Sequence, residues 1–97
     1  MALEDERGLA LSGTLDLSTE AQARAAVEPL VAPGAVLTLD LSGLEFMDSS
    51  GLNLIAASLQ EIGEEGHLTL WVHERIVGRI LGVSGLADRP NLDVQQV

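Results

Sequence analysis

Asp48, Ser49, Ser50 and Gly51 set one carboxylate and two hydroxyls in a row, between the apolar pair Phe46-Met47 and a helical repeat of Leu52, Ile55, Ala56, Leu59 and Ile62. A hydroxyl at the start of a helix is a place to attach a phosphate. The backbone N–H groups of a first helical turn lack intrahelical partners and carry the positive end of the peptide dipole, so a phosphate there meets donors and a favourable field. Asp and Ser are also the commonest N-caps, and taken alone the pattern favours a plain cap. A hydrolase built on Ser49 would need a base within reach and a third group to orient it. His67 and His73 open and close one strand, so at roughly 3.3 Å per residue they stand about 20 Å apart. No Gly-x-Ser-x-Gly elbow surrounds the serine. No histidine and carboxylate share a helix at ligand spacing, and no glycine-rich loop runs into Gly-Lys-Ser/Thr. The expectation is no catalytic residue, no metal and no cofactor.

The elements around this stretch alternate. Gly8 to Leu11 reads as an edge strand that turns at Ser12-Gly13 into a second short strand through Asp16. Thr19 reads as an N-cap with Gln22 at the capping-box position, opening a helix with an apolar stripe of Val27, Leu30 and Val31 that ends at Pro33-Gly34. Val36 to Leu41 is nearly all apolar, as expected of a central strand covered on both faces. The next helix begins near Ser49, Gly63 and Gly66 break its pattern, and Leu68 to Val72 forms another strand. A third helix buries Ile76, Val77, Ile80 and Leu81, with Gly78 and Gly82 spaced by four residues, which suits close packing against the sheet and partner docking equally, and with Gly85 as its C-cap. Arg89-Pro90 leads to a last strand near Leu92 to Val94. The expected fold is α/β, a single domain over residues 1–97 with a mixed central sheet, because a tight turn makes its two strands antiparallel.

Composition narrows the function classes. The chain has 97 residues, enough for one core. One Trp, one Phe and no Tyr leave little to stack on nucleic-acid bases. Fifteen acidic residues against five arginines, without a lysine, give a formal net charge of −10 that repels phosphate backbones and anionic membranes. Partners with a basic or mixed face fit it. There is no cysteine, which suits a reducing compartment. The N-terminal run Met1 to Arg7 is charged and no apolar stretch approaches the roughly 20 residues of a membrane span. A cytoplasmic protein is expected.

The landmarks Gly13-Thr14-Leu15-Asp16 with Thr19, the Leu44 to Leu52 stretch holding Asp48-Ser49-Ser50-Gly51, and Ser84-Gly85-Leu86 fall in an order that resembles the STAS domain family, specifically the bacterial anti-sigma-factor antagonists. The resemblance covers nearly the whole chain. It implies that Ser49 is the phosphorylation site and that Asp48, Ser50 and Gly51, with Asp16 and Thr19, lie on the partner-binding surface. It also implies an anti-sigma factor with serine kinase activity as partner, a serine phosphatase that resets the switch, and a sigma factor freed when the unphosphorylated antagonist sequesters the kinase. On the residues alone, Asp16 reads equally as a turn residue and Thr19 as a plain N-cap. The alternative is a STAS accessory or scaffold subunit, such as a cytoplasmic partner of a lipid ABC transporter, which often lacks the phosphoserine. Thr14, Asn53 and the end of the chain at Val97 depart from the family pattern.

Overall fold

A computed structural model describes residues 7–82, 85–86 and 88–97, apart from the side chains of Arg7, Arg79 and Leu81. The chain runs β1 (Arg7–Leu15), α1 (Glu20–Val27), a 3-10 turn (Glu28–Leu30), β2 (Val36–Met47), α2 (Ser49–Ile62), β3 (His67–Val72), α3 (Glu74–Leu81) and β4 (Leu92–Gln96). The four strands form one sheet in the order β1-β2-β3-β4. Every pairing is parallel. The α/β fold is as expected, but the sheet among the described residues is parallel rather than mixed.

The reason lies at Ser12-Gly13. Instead of turning, the chain continues as one strand, and Gly13 takes up its glycine signal by adopting φ +85° within β1. Its neighbour β2 absorbs the irregularity: Ala10 pairs with Asp40 but Ser12 with Gly43, and Gly13 with Leu44 but Thr14 with Phe46. Each shift inserts one extra residue into β2, the signature of a bulge. β2 therefore runs past Leu41 to Met47, six residues further than its apolar run suggests.

A parallel sheet that adds strands in one direction, joined by right-handed crossovers, collects its helices on one side. Burial follows that rule. Leu37, Leu39 and Leu41 of β2 and Leu68, Leu70 and Val72 of β3 are buried, and they join Ile55, Leu59, Ile76 and Ile80 of the helices in one core cluster. The opposite face, with Ala10, Val36, Trp71 and Gln95, stays exposed. The central strand is thus covered on one face only, and Asp40 on the open side accepts from the Ser42 hydroxyl at 2.6 Å and the Ser42 N–H at 3.0 Å.

Helix ends depart from the sequence reading for local reasons. α1 stops at Val27 because Pro29 follows two residues later, lacking an N–H and crowding the carbonyl one turn back, and the chain tightens into the 3-10 turn. α3 ends on Gly82, whose N–H returns to the Gly78 carbonyl at 2.9 Å, and not on Gly85. Ser84 of the Ser84-Gly85-Leu86 landmark, the charged run Met1 to Glu6 and the Leu81 side chain lie outside the described residues. His73 caps α3 by accepting the Arg75 N–H on Nδ1 at 3.2 Å.

The glycines differ in kind. A Cβ on Gly78 would enter open space, so close packing is not its purpose, whereas one on Gly66 would strike Ile62, the Ala35 carbonyl and the Gly34 backbone. Gly78→Ala is expected to raise unfolding free energy by about 0.5–1 kcal/mol through helix propensity. Gly66→Ala is expected to lower it by about 1–3 kcal/mol through overpacking. Urea denaturation of both variants reads the opposite signs directly.

Candidate functional site

Two strand ends build the candidate site. Leu15 of β1 and Met47 of β2 are Cα partners, so the residues that follow them, Asp16 and Asp48, leave the sheet side by side at its carboxyl edge. The Asp48 N–H donates to the Leu15 carbonyl at 3.2 Å and ties the two exits together. Crevices beyond the carboxyl ends of parallel strands are where open α/β sheets place their ligands.

Asp48 is the single residue between β2 and α2. It is the N-cap: its Oδ1 accepts the Ser50 N–H at 2.8 Å, while its carbonyl accepts from Gly51 at 3.1 Å and Leu52 at 3.4 Å. So abrupt an entry presses the first turn onto the strand it leaves. A Cβ on Gly51 would collide with Met47 and come within 3.0 Å of Leu15 Cδ2. Only glycine fits without moving a fully buried methionine. The turn also sorts the two serines, since Ser50 faces inward at 7% exposure while Ser49 points to solvent. The first-turn donors are less free than the sequence suggests, because the Ser50 and Gly51 N–H groups already serve Asp48.

The neighbouring loop is held from within. Asp16 Oδ1 accepts the Ser18 hydroxyl at 2.6 Å, the Ser18 N–H at 2.9 Å and the Thr19 N–H at 3.2 Å. Thr19 starts α1 without a side-chain cap. Its Oγ1 instead accepts from the Asp16 N–H at 3.0 Å and donates to the Thr14 carbonyl at 2.8 Å, which folds the loop back on β1. Asp16 is therefore a turn residue, and Thr19 a loop clasp rather than the capping-box serine or threonine. The Ser18 hydroxyl, ahead of the backbone N–H groups of Ser18 and Thr19, holds the Asp16 carboxyl below its ordinary pKa.

Asp16, Thr19, Asp48, Ser49, Ser50 and Gly51 thus share one end of the sheet. His67 sits at the start of β3 and His73 at its far end, and no group of three or more His, Cys, Asp or Glu residues is placed to hold a metal among the described residues. Leu17, between Asp16 and Ser18, is 78% exposed, and Phe46 is 41% exposed beside Thr14 in register. Both went unremarked in the sequence as surface features. The pattern Asp-x-Ser recurs at Asp16, Asp40 and Asp48, and each aspartate accepts the N–H two residues on, in a loop at Asp16, inside β2 at Asp40 and at a helix start at Asp48.

Comparisons with known proteins agree with this architecture. The profile of the family described as "Mlab, STAS domain" matches residues 2–95. The anti-sigma-F factor antagonist RsfB of Mycobacterium tuberculosis, in strains CDC 1551 / Oshkosh and H37Rv, is 32% identical over 79 residues, covering 80% of this chain. The match spans 65% of the length of those curated relatives. A crystal structure of an anti-sigma factor antagonist from Mycobacterium paratuberculosis superposes with a TM-score of 0.80 at 25% identity, over 96% of this chain and 80% of that one. The STAS domain of a SulP transporter from Vibrio cholerae shares the fold at a TM-score of 0.66 and 14% identity, over 96% and 76% of the two chains. No helix among the described residues is long and apolar enough to cross a membrane.

Two measurements check the local chemistry. Asp48→Ala is expected to cost about 0.5–2 kcal/mol of unfolding free energy through loss of the N-cap. Ser18→Ala is expected to move the Asp16 midpoint upward in an NMR pH titration, because its main stabilising donor is gone. A carboxyl whose folded pKa is depressed stabilises the fold above its unfolded pKa, and that contribution fades as pH falls through the folded value. The variant should therefore lose part of the acid-side pH dependence that Asp16 contributes, the Ser18 and Thr19 N–H groups keeping the rest.

Proposed function

The chain belongs to the STAS domain family, and from that membership we propose that it is a cytoplasmic anti-sigma-factor antagonist, switched by reversible phosphorylation of Ser49. Unphosphorylated, it binds an anti-sigma factor that has serine kinase activity and so frees a sigma factor. Phosphorylated, it lets go until a serine phosphatase resets it. The reading makes the chain a binding module rather than an enzyme, with ATP and catalysis supplied by the partner.

The observation that carries this reading is the sorting of the two serines: Ser49 is exposed where Ser50 is buried, on the same rim as the Asp16 to Thr19 loop. The first serine is the more open of the two to a kinase. The names of the relatives support the class of partner. Leu17 in the same loop is an exposed apolar side chain, of the kind that a partner's pocket can desolvate.

The energetics favour charge as the lever. A hundredfold change in affinity needs close to 3 kcal/mol. Loss of a hydroxyl hydrogen bond supplies about 1 kcal/mol. A phosphate brings roughly −1.5 to −2 charges, and against one carboxylate at about 4 Å the repulsion is several kcal/mol at an effective dielectric near 20. Asp48 stands directly beside it. Because Asp48 already holds the Ser50 N–H, the phosphate must compete with a carboxylate for its nearest donor rather than settle into an empty site.

Ser49→Ala is expected to bind the kinase-type anti-sigma factor within about fivefold of the native protein, a cost of roughly 1 kcal/mol. Ser49→Glu is expected to bind at least about tenfold more weakly. Titration calorimetry measures both. Equal losses would place the switch in hydrogen bonding and overturn the charge account, and phosphate mapped by mass spectrometry to Ser50 alone would overturn the choice of acceptor.

A further inference from the structure

The buried side of α2 begins with Ser50 and Gly51 and continues through Leu54, Ile55 and Ser58, so the helical repeat decides which side meets the sheet. It does not decide how firmly the first turn is held there. Helix ends fray, and the two residues that open the stripe bring almost no apolar surface of their own. The first large buried side chain of the helix, Leu54, comes later. Something else must keep Ser50 down.

Met47 is placed to do so. It ends β2, directly before Asp48, and is 0% exposed. A Cβ at position 51 would stand 2.7 Å from its Sδ and nearer still to its Cγ, where ordinary contact begins at about 3.4 Å. Glycine therefore rests flush on the methionine. Leu15 Cδ2 bounds the same point at 3.0 Å, and the bond from the Asp48 N–H to the Leu15 carbonyl ties the two strand ends beneath the turn. This floor has little give, because Cγ is one bond from a Cβ fixed on the strand and the core around it is close-packed. The turn above it is the softer side. Its Ser49 is exposed, and it holds Asp48 through the N–H groups of Ser50, Gly51 and Leu52 at 2.8, 3.1 and 3.4 Å.

We propose that Met47 is the positioning residue that selects the phosphoacceptor: its side chain sets the height of the first turn, so that Ser49 is presented and Ser50 withheld. This rests on the phosphorylation reading only for what the presented serine accepts, since the presentation itself belongs to the free protein. Two opposite changes break it. A methyl group at Gly51 raises the turn, and truncation of Met47 empties the floor, so each alone frees Ser50. The two together restore it, because the added methyl occupies part of the space that the methionine leaves. Leucine at position 47 keeps a Cγ and a similar volume. It therefore holds the native height but makes no room for the methyl.

The chain has no cysteine, so Ser49→Cys and Ser50→Cys each introduce a single thiol whose alkylation by iodoacetamide reads local exposure. In the otherwise native full-length protein, Ser49→Cys is expected to react at least about tenfold faster than Ser50→Cys. Gly51→Ala and Met47→Ala should each raise the Ser50→Cys rate at least about threefold, and their combination should return it toward the native value. Met47→Leu should leave the rate unchanged in the native chain and fail to restore it beside Gly51→Ala. A control thiol from Ser58→Cys, buried about two turns further along α2, should keep its rate throughout. With a kinase-type anti-sigma factor and ATP, the share of phosphate on Ser50, mapped by mass spectrometry with both serines present, should rise and fall in the same order. Equal native rates, a parallel rise at Ser58→Cys, or a Gly51→Ala effect that Met47→Ala does not reverse would each overturn the proposal. So would phosphate that stays on Ser49 while the thiol order collapses, because the kinase and not the floor would then choose. If Gly51→Ala does not fold, Met47→Ala against Met47→Leu carries the test, and equal Ser50→Cys rates in the two overturn it. The expected thiol order without phosphate on either serine sinks the regulatory reading instead and leaves the presentation by Met47 standing.

Discussion

The site depends on a steric constraint at Gly51. A helix can leave a buried strand after one intervening residue only if its first turn lies directly on the end of that strand, and here the available space is already filled by Met47 and Leu15. With no side chain at position 51, α2 settles against both. Everything else at the rim follows from that seat. Asp48 has to be both linker and cap, Ser50 is turned into the protein, and Ser49 is left outside. The exposure of one serine and the burial of its neighbour are consequences of packing behind them.

The electrostatics of the rim rest on short-range donors rather than on ion pairs. Among the described residues the one salt bridge, Arg24 with Glu20 at 2.7 Å, joins consecutive turns of α1 and serves the helix. The carboxylates of Asp16 and Asp48 are satisfied by backbone N–H groups and, for Asp16, a serine hydroxyl. Among the described residues neither carboxylate has an ion-pair partner. A rim of that kind attracts a basic surface and is acutely sensitive to one further negative group, which is the property a charge-operated contact requires.

Much of this was legible in the sequence where a residue type has one dominant physical use. The helical repeat from Leu52 to Ile62 placed the start of α2 near Ser49, where it lies, and the apolar runs located β2 and β3. The errors came where one residue type has two uses. Ser12-Gly13 signals a turn, but a glycine at positive φ inside a bulged pair satisfies the same preference. The apolar run of β2 suggested cover on both faces, although Thr38 and Asp40 already marked the open side. Pro33-Gly34 signals a helix end, but Pro29 does so four residues earlier and is the one that stops α1. At the rim, the residues themselves were readable, but their roles were not: Thr19 looked like a cap because its clasp on Thr14 and Asp16 joins segments that meet only in the folded loop.

The parallel sheet has a consequence for how the chain reaches its native state. Parallel neighbours cannot be joined by a tight hairpin, so every strand pair here waits for a helix-length connection to close, and partners such as Leu37 and Leu68 begin far apart along the chain. Loop-closure entropy must be overcome before any of the ladder repays it. Such topologies have high contact order and fold slowly for their size. The unit with the strongest local signals, β2-α2-β3, is the natural nucleus, and it contains Asp48 to Gly51. The segment that would carry the signal would then be among the first to consolidate during synthesis, with β1 and β4 closing onto it afterwards.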